Sequence, residues 1–174
     1  AMNEPGITPP LLSACLIVRD EAENLSRCLA SVRSLVDEII VADTGSVDDS
    51  REIAAAAGAR VVEFSWVDDF SAARNVSLEA ADGRWILVID ADEELRPVDT
   101  AAFRKRLAAS PDPAFTLEIH SALAGEGSTV ARITRVFRND ARHRYEGRLH
   151  EQILPSIARA TGRGDFTPAP SGLV

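Results

Sequence analysis

Cysteine is scarce in this sequence. Cys15 and Cys28 are the only two, with no C-x-x-C pair and no zinc-type spacing. They read as two reduced thiols, one in an apolar run and one on a helical pattern, both packed in a core. Basic residues are outnumbered, 19 against 27 acidic, for a net charge of −8. Nucleic-acid binders need a basic stripe to displace counterions from phosphates. No such stripe runs along this chain, so no nucleic-acid partner is expected, and the acidic excess reads as solvated surface. No apolar run approaches the roughly 20 residues that cross a bilayer. No basic stretch followed by an apolar one opens the chain, so a secretory signal is not expected, and Ala1 reads as an addition before a start at Met2. A cytoplasmic protein follows as the expectation, with peripheral membrane association left open.

Several phosphate- and metal-binding fingerprints are missing as well. No Gly-Lys pair exists for a P-loop, and no G-x-G-x-x-G follows a strand. There is no G-x-S-x-G elbow. An EF-hand beginning at Asp90 would need Gly and Glu where Leu95 and Ala101 stand.

What the chain does contain is an ordinary globular composition, 45% hydrophobic and 26% charged over 174 residues, enough for one domain with a real core. After a Pro- and Gly-containing leader, taken as residues 1–12, "LLSACLIV" is a short apolar run of the kind buried on both faces of a sheet. A helical pattern places Leu25, Cys28, Leu29 and Val32 on one face. "EIIVA" is a second strand. "SVDDSREIAAAAG" is a helix that Ser46 can cap and Gly58 can close. "ARVVEF" is a third strand, "FSAARNVSLEAADG" a helix closed by Gly83, and "RWILVI" a fourth strand. A helix over 99–109 and two β-rich segments, 114–123 and 129–139, complete the pattern. The rest is irregular, with 155–174 read as a loose tail. Four alternations of strand and helix predict an α/β fold, mainly a parallel sheet sandwiched by helices, with a small β-rich C-terminal part. Ligands of such sheets bind beyond the carboxyl ends of the strands.

Those strand ends carry charge: Arg19, Asp20 and Glu21, then Asp43, then Asp68, Asp69 and Arg74, then Asp90 and Asp92. Asp90 and Asp92, one residue apart after a buried strand, can share a hard divalent cation that keeps sites open for phosphate oxygens. The alternative is a solvated acidic turn. Asp43 can accept hydrogen bonds from a base edge or ribose hydroxyl, or serve only the turn that follows it. Arg74 can donate two hydrogen bonds to phosphate, or lie free on the surface.

Taken together, "CLIVRDEAENLSRCLASV", "VDEIIVADTGSVDDSREIA", "DDFSAARNVSL" and "GRWILVIDADEEL" resemble the family 2 glycosyltransferases, in particular a bacterial branch whose members often carry helical repeats. The likeness runs over 13–96, and more weakly over 130–152 through "RVFRN" and "GRLHE". It implies a GT-A fold over 13–154, with a nucleotide-sugar half at 13–96 and an acceptor-side half at 97–154. It also implies a nucleoside-diphosphate sugar donor, commonly a UDP-sugar, inversion at the anomeric carbon, and Mn²⁺ or Mg²⁺. The acceptor, whether glycan, lipid-linked sugar or protein, is left open. By motif position Asp43, Asp20, Arg74 and Asp90 match donor-binding residues, and Asp92 matches the metal ligand. Glu151 is the candidate base, with His150 beside it as a possible second metal ligand, while His120 and His143 read as structural. Where related sequences continue with another strand, this one ends in "DFTPAPSGLV", which suggests a truncated tail. Two other readings remain on the residues alone. One is a sugar-phosphate nucleotidyltransferase, although "RDEAEN" lacks the usual Gly-rich loop. The other is a phospho-acceptor signalling domain, although the single lysine, Lys105, lies in a helical pattern.

Overall fold

In the computed structural model, which describes residues 9–122, 128–164 and 166–172, the alternating first half folds as its pattern dictates. β1 (Leu12–Val18), α1 (Ala22–Val32), β2 (Glu38–Asp43), α2 (Ser50–Ala56), β3 (Arg60–Glu63), α3 (Phe70–Ala80) and β4 (Trp85–Val88) follow one another, then α4 (Thr100–Ala109), β5 (Ala114–Ala122), β6 (Ser128–Arg138), α5 (Leu154–Thr161) and β7 (Ala169–Pro170). The strands form one sheet in the order β3-β2-β1-β4-β6-β5-β7. β1, β2, β3 and β4 are parallel, β6 runs antiparallel to both β4 and β5, and β7 pairs parallel with β5.

Period-2 alternation sorts the strand residues between two cores. Leu12, Ala14 and Leu16 of β1, with Ile39 and Val41 of β2 and Trp85 and Leu87 of β4, face Leu25 and Leu29 of α1, Ala54 of α2 and Phe103 of α4. Cys15, Ile40, Ile86 and Val88 face the other way, toward Leu78 of α3 and Ile157 of α5. Helices therefore cover both faces, and the sheet is sandwiched as expected. Both cysteines are buried and unpaired.

Some local expectations need correction. Ser46 does not cap α2. Asp49 holds the N-cap position, while the Ser46 hydroxyl accepts from the Asp20 backbone N–H at 3.0 Å. Gly83 does not close α3, whose C-cap is Ala81. Gly83 packs instead against β1, where a Cβ would run into Ser13 Oγ and lie 2.8 Å from the Ser13 nitrogen. The segment 155–174 is more than a loose tail. Most of α5 lies within it, with Pro near the helix start and Gly162 in the left-handed C-cap conformation, and β7 extends the sheet. The β-rich segments extend the main sheet through β6 and β5.

Candidate active site

The strand order reverses direction beside β1: β2 and β3 lie to one side of it and β4 to the other. A cleft opens at the carboxyl ends of β1 and β4, at this switch point. It has a volume of about 730 Å³, and its wall includes Val18 at the end of β1 and Arg19 after it, Thr44 after β2, and Asp90 and Asp92 after β4. Arg74, His150 and Glu151 line the same cleft.

Helix α3 supplies the frame. Asp69 caps it, its side chain accepting from the Ala72 N–H at 3.0 Å. Ser71, Arg74 and Asn75 are spaced i, i+3, i+4 and so share a face. That face grips the loop carrying His150 and Glu151. Ser71 Oγ donates to the Gly147 carbonyl at 2.6 Å, and Asn75 exchanges two hydrogen bonds with the Tyr145 backbone, at 2.8 and 3.1 Å. Arg74 Nε donates to Glu151 Oε1 at 2.7 Å. Gly147, at φ 97°, turns the loop, and a two-way backbone pairing of Glu146 with Gln152 closes it.

Arg74 is buried, not a surface arginine. Its Nη2 donates to Asp90 Oδ1 at 2.8 Å, and Arg135 Nη2 donates to Asp90 Oδ2 at 2.7 Å and to Glu93 Oε1 at 2.9 Å. Burial by itself would raise the Asp90 pKa, but the two guanidiniums outweigh it and hold the carboxyl at about 2. Glu93 goes the other way, raised by burial. Tyr145 is pushed up to about 12 by its burial. A chain of charge-assisted bonds thus runs from Glu151 through Arg74 and Asp90 to Arg135 and Glu93.

Both Asp90 oxygens accept a hydrogen bond from an arginine, and each keeps a second lone pair. Asp92 is exposed in the cleft and makes no hydrogen bond or ion pair with a described residue. His150 is exposed and lines the same cleft, at φ 57°. Among the described residues no three His, Cys, Asp or Glu side chains gather as a ready-made metal cage. A hard ion such as Mg²⁺ does not need one, because it commonly takes one or two protein carboxylates and completes its shell with phosphate oxygens and water. Asp92 fits that role.

Asp43 and Asp20 sit next to the cleft, whose wall is formed by their neighbours Thr44, Arg19 and Glu21. Asp43 is buried and accepts the backbone N–H groups of Gly45, at 3.2 Å, and Ser46, so it performs the turn chemistry open to it. Asp20, at φ 54°, accepts from the Val47 N–H at 2.7 Å and ties the β1–α1 loop to the β2–α2 loop. His143 bonds the Arg138 carbonyl through Nδ1 at 2.8 Å, and His120 lies 3.6 Å from Glu118.

Sequence reasoning missed Arg135. It sits at a break in strand register, where Thr116 pairs with Thr134 but Phe115 pairs with Val136. Arg135 is the extra residue of this β-bulge, a device that re-aims a side chain at the site. It also missed Trp66 and Phe70, which line the cleft and meet edge-to-face at 4.9 Å.

Comparison with known proteins agrees with this architecture. The family model described as Glycosyl transferase family 2 matches residues 13–158. A TPR repeat-containing protein of Synechococcus elongatus is 47% identical over 146 residues, which cover 84% of this chain and 36% of that protein. The SPbeta prophage-derived glycosyltransferase SunS of Bacillus subtilis is 30% identical over 150 residues, 83% of this chain and 35% of its own. The chain therefore spans about a third of the length of these relatives. Among solved structures, S. aureus TarS shares the fold, with a TM-score of 0.56 at 18% identity over 74% of this chain and 28% of that one. Glucosyl-3-phosphoglycerate synthase from Mycobacterium tuberculosis, in complex with Mn²⁺, UDP and glucosyl-3-phosphoglycerate, aligns with a TM-score of 0.51 at 25% identity, over 67% of this chain and 50% of that chain. The α/β sheet is of the GT-A type, and the chain belongs to glycosyl transferase family 2.

Proposed function

We propose that this chain binds a nucleoside-diphosphate sugar, a UDP-sugar above all, in the switch-point cleft and transfers the sugar to an acceptor hydroxyl with inversion. The observation that carries the reading is the convergence of Arg74, Asp90, Asp92, His150 and Glu151 on that one cleft. The M. tuberculosis synthase whose structure holds Mn²⁺ and UDP supports the same donor chemistry.

In this reading the nucleoside lies toward the ends of β1 and β2, where Asp43 and Asp20 shape the adjoining loops, and the diphosphate lies toward Asp92. Asp92, with His150, would hold Mn²⁺ or Mg²⁺, which supplies positive charge against the departing diphosphate. Arg74 and Asp90 fix the geometry of the reacting end. Glu151 is the base: Oε1 is occupied by Arg74, while Oε2 has no partner among the described residues and is free to take a proton. The acceptor oxygen bonds to the anomeric carbon as the bond from that carbon to the diphosphate oxygen breaks, and the hydroxyl proton passes to Glu151.

The test is Glu151→Gln, assayed with a panel of UDP-sugars. Glutamine keeps an acceptor for Arg74 but cannot take the proton. Donor affinity should persist while turnover falls about 10²–10⁴-fold, the usual worth of a positioned base. Full turnover would remove Glu151 from the role.

A further inference from the structure

Behind the Arg74–Asp90–Glu151 cluster lies a second cavity, of about 750 Å³, against β5, β6 and the 167–170 segment. It shares Arg74, Asp90 and Glu151 with the donor cleft, so Glu151 stands in the wall between the two. What the cavity offers a ligand is mostly donors. Its carboxylates, Asp90 and Glu151, already accept from the arginines. Thr116, Thr134 and Thr167 line it, and their hydroxyls make no hydrogen bond with a described residue. Two buried side-chain polar atoms lack a hydrogen-bond partner among the described residues, Arg74 Nη1 and Arg135 Nε, and both residues line this cavity. The Arg74 guanidinium lies 5.5 Å from the centre of the Tyr145 ring, which offers one of them a π face. Among the described residues no ring faces Arg135 in this way. Leaving a buried cationic N–H unpaired is costly, and an anionic oxygen is its strongest complement.

We propose that this cavity is the acceptor subsite, and that the acceptor carries an anionic oxygen group, carboxylate or phosphate, which Arg135 recognises together with the threonine hydroxyls. The proposal rests on the reading of Glu151 as base, since an acceptor seated here presents its hydroxyl to that carboxylate. It assigns Arg135 a second task beyond fixing Asp90 and Glu93.

The experiment uses the full chain with ¹⁵N-labelled arginine, the Arg135 Nε–H resonance being assigned by its loss in Arg135→Lys. Sodium sulfate stands for a tetrahedral phosphate-like group and sodium acetate for a carboxylate, with sodium chloride at matched ionic strength as the control. Saturable movement of the Arg135 resonance with sulfate alone identifies a phosphate-type group, and with acetate alone a carboxylate. Thr134→Val and Thr116→Val, which leave the arginine network in place, should each weaken that binding about three- to tenfold. A resonance that moves no more than in chloride overturns the proposal, as does binding unaffected by both threonine changes. Titrations with and without UDP separate the two readings. If UDP fails to bind, the donor assignment fails, while the Arg135 response still decides this one.

Discussion

Replacing Arg74 with Met keeps most of the side-chain volume and removes the guanidinium that joins Asp90 to Glu151. The structure sets the size of the effect. The Arg74 side chain is 10% exposed and its partners Asp90 and Glu151 are 33% and 17% exposed, so these ion pairs are mostly desolvated. Breaking a buried pair by removing one partner costs about 3–5 kcal/mol. Asp90 retains Arg135 and is a third exposed, which places the expected loss near the lower end, about 3 kcal/mol at pH 7. For a domain of this length that is a fall in Tm of roughly 6–12 °C. The pH dependence carries its own sign. Asp90 is depressed from 3.8 to about 2 in the folded state, so its contribution is present above the unfolded value and is lost as pH falls through the folded one. Allowing for partial exposure, that contribution is about 1–2 kcal/mol. With only Arg135 left the depression shrinks, so the gap between parent and variant should be widest at neutral pH and narrow by about pH 2, at the folded value. Urea unfolding followed by the fluorescence of buried Trp85, at pH 7 and about pH 2, measures both. Equal stability at pH 7, or a gap unchanged at about pH 2, would refute the reasoning.

Other changes test other parts of the account. Gly83→Ala drives a Cβ into Ser13 and the backbone of β1, so it should cost about 1–3 kcal/mol or more, read as a lower urea midpoint with an unchanged slope. An unaltered midpoint would show that the close approach is dispensable. Asp43→Asn keeps an oxygen for the turn N–H groups but loses the charge; calorimetry should find UDP bound about tenfold more weakly with the fold intact. Unchanged affinity would confine Asp43 to the turn.

How far the sequence foretold this molecule depends on which forces shaped each part. The βα alternation through Val88 was legible because β1, β2 and β4 are buried on both faces, and continuous apolar runs record that burial. Asp90 and Asp92 were legible as carboxylates at a strand end, since strand ends in a parallel sheet share an edge, whereas His150 and Glu151 were assigned only through the family resemblance. Arg135 was not legible. A bulge leaves no mark in "TVARITRVFRN", where arginines recur as they would on a solvated strand. The engagement of Asp90 by two arginines could not be read either, because it joins α3, β4 and β6 across long separations in the chain. Helix α5 did leave signals: Ile153 and Ile157 at i, i+4, Pro155 at the start and Gly162 just past the end. They are short, and the Gly- and Pro-containing surroundings outweighed them.

Asp92 has no partner among the described residues, while its neighbour Asp90 is held by two arginines, and on the proposed function it supplies the metal ligand for a bound nucleoside diphosphate. Calorimetric titration of UDP into the parent chain and into Asp92→Ala, each with and without Mn²⁺, tests it directly. Mn²⁺ should strengthen binding to the parent by about tenfold or more and leave the variant unmoved. An equal Mn²⁺-dependent gain in both proteins would contradict it.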